Sequence, residues 1–93
     1  MNLNKILSCP ARKKIIHFFY SNPASIDTLK GIMTWTGLDK KEAVNALEEL
    51  VKEKILIPHR VTSTVGYAYM PNKKQAQAIR KYFDGIGKYK TLS

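Results

Sequence analysis

The residues of this chain best suited to chemistry form two small polar sets rather than a catalytic cluster. Lys40, Lys41, Val44 and Asn45 follow Asp39 at helical spacing, one turn apart in adjacent pairs, and so share the front of one helix. Lysine contacts guanine or phosphate, asparagine pairs with adenine through two hydrogen bonds, and valine touches a thymine methyl. Asp39 caps this helix and belongs to the same set. The second set is Arg60, Thr62, Ser63 and Thr64, in a polar segment between two β-rich runs. The arginine fork there suits a phosphate or a narrow minor groove. Arg12 and Lys13, with Lys14 beside them, add candidate phosphate contacts near the N-terminus. The plain alternative for all of these is solvated surface. Local pairing of Lys40 or Lys41 with Glu42 or Glu48 is worth only about 0.2–0.5 kcal/mol.

The chemistry of bond making is missing. The sequence has no nucleophile–base motif, no phosphate-cradling glycine loop and no paired carboxylates outside one charged helix, so no enzyme is expected. Cys9, His17 and His59 are isolated and lack accepted metal-ligand spacing, so neither metal nor cofactor is expected. Cys9 reads as a small buried filler, with a redox thiol as the alternative.

The charge balance gives the polar sets a partner. Sixteen Lys and Arg against seven Asp and Glu leave +9, which favours polyanions: nucleic acid or an anionic membrane surface. Acids gather at Glu42, Glu48, Glu49 and Glu53, while both ends of the chain are almost purely basic. With 93 residues, the chain has room for one core and is expected to be a single domain over 1–93. No apolar run approaches a membrane span, no secretory apolar segment opens the chain, and one cysteine suits a reducing compartment. The expected location is the cytoplasm, at the nucleoid if the source is prokaryotic.

Five elements must position these residues. A helix is predicted from about Pro10 to Tyr20, with Ala11, Ile15, Phe18 and Phe19 inward and Ile16 and Tyr20 on a second apolar line. Ser21-Asn22-Pro23 stops it. Thr28 to Thr36 forms the next helix, capped by Asp27 or Thr28 and ended by Gly37, with Ser25-Ile26 a candidate very short strand. The third helix starts behind Asp39, with Glu42 in capping-box position and Ala43, Leu47, Leu50 and Val51 as its apolar stripe, out to about Lys54. Residues 55–70 read as a hairpin whose Pro58 requires an edge strand. A last helix over about 72–86 carries Ala76, Ile79, Phe83 and Ile86, with Gly85 and Gly87 weakening its end. Trp35 is expected in the core or packed in the turn, and Tyr67 and Tyr69 are expected against the helices.

The stretch TLKGIMTWTGLDKKEAVNALEELVKEKILI, Thr28 to Ile57, resembles the helix-turn-helix of winged-helix transcription regulators of the broad ArsR-like and MarR-like type. Leu7-Ser8-Cys9-Pro10-Ala11-Arg12-Lys13-Lys14-Ile15-Ile16 is similar to the first helix of ArsR-like repressors, so the likeness covers roughly residues 6 to 70. It implies a mainly α fold with a small β-hairpin, helix-turn-helix at about 28–54 and wing at about 55–70. It also implies binding of double-stranded DNA, with the recognition helix in the major groove, and a homodimer through the first and last helices. Lys54 stands where glycine is usual before the wing, which leaves that turn's geometry open. The function read from all this is a sequence-specific transcriptional regulator. The alternatives are a winged-helix protein–protein adaptor and a sequence-neutral architectural DNA-binding protein.

Overall fold

Local signals at the ends of each helix set the architecture. The structure, a computed structural model, describes residues 2–92 and the side chains of these except Val61 and 86–92. In chain order the elements are α1 (Leu3–Leu7), α2 (Pro10–Ser21), β1 (Ile26–Thr28), α3 (Leu29–Thr36), α4 (Lys40–Lys52), β2 (Leu56–Val61), β3 (Thr64–Tyr69) and α5 (Lys73–Leu92). Pro10 takes the first turn of α2, where its missing N–H costs nothing. The Thr28 hydroxyl, rather than Asp27, accepts from the Gly31 N–H and starts α3. Gly37 closes α3 in the left-handed region at φ +73°, which turns the chain sharply into α4.

Both ends of α4 are fully finished. At its start the Asp39 side chain accepts from the Glu42 N–H at 2.8 Å, and Glu42 accepts from the Asp39 N–H at 3.3 Å. At its end the Ile55 N–H reaches the Leu50 carbonyl and the Lys54 N–H the Val51 carbonyl, both at 3.0 Å. These two bonds define a Schellman motif, and Ile55 packs with Leu50 inside the core as that motif requires. Lys54 takes the left-handed position at φ +62°. The turn that glycine usually makes is therefore kept, with a lysine in it.

The strands form one antiparallel sheet in the order β1-β3-β2. Pro58 lies on edge strand β2 opposite Tyr67, as its lack of an N–H demands. Tyr67 and Tyr69 pack against the core, and Tyr69 lies parallel to Phe19 at 6.2 Å. One contiguous cluster joins Ile15, Ile16 and Phe19 of α2, Ile32 of α3, Ala43, Leu47 and Leu50 of α4, Ile55, Leu56 and Ile79. Each large member contributes about 1.5–3 kcal/mol by leaving water.

Several expectations need correcting. Residues 3–7 form a short helix that no periodicity announces; Asn2 caps it, and Ile6 and Leu7 join the core. Ile16 is fully buried within the chain, so it has no surface to offer a dimer seam. Cys9 is half-buried at the N-cap of α2 rather than a core filler. Helix α5 runs past the expected end at 86 to Leu92, because glycine weakens a helix without blocking it as proline would. The side chain of Ile86 lies outside the described residues. Trp35 is 71% exposed, not packed into the core.

Candidate nucleic-acid interface

The buried stripe of α4 decides which of its residues face solvent. Ala43, Ala46, Leu47 and Leu50 point inward, so helical spacing turns Lys41, Asn45, Glu48 and Lys52 outward. Lys40 is exposed at the helix front, while Val44 is half-buried on the flank and has less reach. Asp39 is held in the cap by its bond to the Glu42 N–H. The same box turns the Glu42 carboxylate back to the backbone, which leaves the front lysines free of it.

The wing presents the second set. Val61 and Thr64 are paired, so Thr62 and Ser63 alone make the tip. Thr62 holds φ +51°, a conformation that a β-branched residue rarely adopts. Arg60 lies opposite Val65 one step down the hairpin, and its side chain is exposed, as are Ser63 and Thr64.

Arg12 and Lys13, neighbours in sequence, diverge in space. The Arg12 Nε donates to the Ile6 carbonyl at 3.2 Å and its Nη2 to the Lys5 carbonyl at 3.3 Å, closing the C-terminal end of α1. Arg12 also shares a shallow cleft of about 320 Å³ with Asn45. Lys13 turns instead into a groove beside Trp35 on the other side of α2. The fold thus gathers Lys40, Lys41, Asn45 and Arg12 around the front of α4 and places Arg60 and Thr62–Thr64 at the wing tip. Lys13 stands apart from both.

Charge is distributed unevenly over these surfaces. Residues 39–53 hold five of the chain's seven acids and only three of its sixteen bases. The outward side of α5 carries Lys73, Lys74, Arg80 and Lys81, all exposed. Helix α5 is tied to α2 by an aromatic cluster: Phe83 stacks on Tyr20 at 5.3 Å and meets His17 at 4.9 Å. The Tyr20 hydroxyl donates to Asp84, and that bond, more than burial, raises the Tyr20 pKa above its ordinary value. Burial pushes the Tyr69 phenol up to about 12.

Trp35 was missed by sequence reasoning as an exposed group. One face of its ring stacks on Phe18 at 6.0 Å and 23°. Its neighbours in sequence are all typical of a helix end, so no local signal marks it as a surface residue. Among the described residues, no three of His, Cys, Asp and Glu come together in a way that could hold a metal ion. Among those residues, no helix is long and apolar enough to cross a membrane.

No family model matches the sequence, and no curated protein matches it in sequence. Solved structures do share its fold. One is the crystal structure of MepR, a transcription regulator of the Staphylococcus aureus multidrug efflux pump MepA, with a TM-score of 0.67 at 13% identity. That match covers 89% of this chain, which spans 62% of the length of the MepR chain. Another is described as a possible transcriptional regulator for arsenical resistance, with a TM-score of 0.65, 14% identity, and coverage of 96% of this chain and 93% of that one. At such low identity the likeness speaks for the fold alone, and the fold of this chain is a winged helix.

Proposed function

We propose that this protein is a sequence-specific transcriptional regulator that sets the front of α4 in the major groove of duplex DNA. The observation that carries the reading is the exposure of Lys41 and Asn45 on the outward face of a helix fixed at its start by Gly37 and the Asp39–Glu42 box. Asn45 reads adenine, Lys41 reads guanine or phosphate, and Arg60 with Thr62–Thr64 holds the backbone or minor groove. The two fold neighbours are both described as transcription regulators, which supports the same reading. Glu48 and Glu49 limit insertion to the first two turns, because their charge is unfavourable near phosphate.

The reading includes a homodimer through the first and last helices, with its two recognition helices about one helical turn of DNA apart. Since Ile16 is buried, the part of that seam left at the surface is half-buried Tyr20 of α2, stacked on Phe83 of α5. No cofactor enters the proposal, and the cytoplasm is the compartment it requires. The acid-rich 39–53 segment favours one competitor, a protein–protein adaptor.

Salt-titrated binding to random duplex DNA, followed by selection of preferred sequences, tests the reading. A steep loss of affinity with salt and an enriched inverted repeat support a dimeric regulator. Binding without enrichment makes the protein architectural. No binding at moderate salt leaves the adaptor as the answer.

A further inference from the structure

The groove beside Trp35 is built from parts that the DNA reading does not use. It lies between α2, the last turn of α3 and α5, and holds about 490 Å³, the size of a small-molecule site. Trp35 forms one wall. With 71% of its surface exposed and Phe18 only offset along its ring at 6.0 Å, the indole keeps open ring surface at the groove that it lines.

The rest of the lining supplies charge and polar edges. Lys13 and Lys14 stand at one end and no acid among the described residues lines the groove, so the site is cationic. Asp27 lines instead a smaller cleft that shares Phe18, Asn22 and Trp35 with the groove. Lys14 stands one turn, about 6 Å, before Phe18 along α2, and it lines the groove together with Trp35. Ser21 and Asn22 lie at the far end. The Asn22 Nδ2 donates to the Phe18 carbonyl at 3.0 Å, which fixes the amide and leaves its oxygen as an acceptor.

We infer that this groove binds a purine nucleotide, its base stacked on Trp35 and its phosphate held by Lys14. A π-face and an anion separated by a short linker match the indole and the ammonium together. Base stacking on an aromatic side chain and ion pairing with lysine act independently here. The Asn22 oxygen and the Ser21 hydroxyl face the edge of the base, where adenine offers its amino group. The source of the nucleotide is either a free metabolite or an unpaired residue of a nucleic acid strand. Both present the same chemistry.

Trp35 is the only tryptophan of the chain, so its fluorescence reports on this site alone. The experiment titrates the full chain, without duplex DNA, with adenosine triphosphate, using free tryptophan amide to correct for collisional quenching. Saturable quenching is expected, with adenosine and Lys14→Ala each about tenfold weaker, a difference of about 1.4 kcal/mol. Calorimetry on Trp35→Ala, an exposed position that leaves the core intact, should show binding lost. Comparing adenosine monophosphate with a short oligodeoxyadenylate separates the sources: stronger binding of the strand assigns nucleic acid, and equal binding assigns the free nucleotide. Quenching no greater than that of free tryptophan amide overturns the inference. So does an equal response to benzoate, or an affinity for adenosine matching that of its triphosphate.

Discussion

Helix α4 and the α2–α5 side of the molecule solve opposite problems. Residues 39–53 are organised almost wholly by local rules: a capping box at the front, a Schellman motif at the back and a buried stripe between. Their charge is net acidic in a strongly basic chain. The α2–α5 side has few local signals. It is held by pairings far apart in sequence, such as Tyr20 with Asp84 and His17 with Phe83, and it carries much of the basic charge. A helix can therefore be rigidly specified without being electrostatically suited along its full length to a polyanion. Only its front is.

The largest expected effect tests the rigidity of α4. Leu50→Ala removes a fully buried side chain that also anchors the Schellman motif, and should destabilise the fold by about 2–5 kcal/mol. Denaturant unfolding measures it, and a loss under 1 kcal/mol would mean that the stripe is not the organiser of the core.

Next come the two polar sets. Asn45→Ala should relax base preference at one position by about 1–3 kcal/mol, whereas Arg60→Ala should weaken all duplexes alike. Competition binding on single-base operator variants separates the two. If both substitutions leave binding unchanged, the front of α4 is not the docking face.

A smaller effect sharpens the account of the backbone. Lys54→Gly relieves a non-glycine residue at φ +62° and should stabilise the protein by about 1 kcal/mol, read as a raised denaturation midpoint. A destabilised variant would show that the lysine side chain contributes more than its backbone strain costs.

Tyr69 of β3, stacked on Phe19 of α2, should show itself in alkaline titration. The Tyr69 phenol is raised from 10.0 to about 12 in the folded state, so the folded chain holds that proton more tightly than the unfolded one. Its contribution is complete below the unfolded value and is lost as pH rises through the window from 10.0 to about 12. Unfolding midpoints followed across that window should fall, and Tyr69→Phe should flatten the fall. An unchanged slope in the variant would place the alkaline transition elsewhere.

How much of this was legible depended on the range of the interaction. Gly37, Asp39 with Glu42, Pro58 and the apolar stripe of α4 each declare themselves within four residues, because a cap, a turn or a helical face is a short-range event. The order of elements followed from them. The candidate contacts on α4 were legible for the same reason, since a known inward stripe fixes the outward one. Helix α1 escaped notice because five residues carry no periodicity; its end is closed by Arg12, from the next helix.

The sequence by itself determined the winged-helix layout, the capped front of α4 and the strongly basic balance, since these rest on residue types and short spacings. Tertiary structure alone decided that Arg12 and Lys13 part company and that Ile16 is sealed inside. It alone set Trp35 open over Phe18 above a cationic groove. The physical reason is that burial and charge proximity belong to pairs of surfaces, and a surface acquires its partner only when distant parts of the chain pack together.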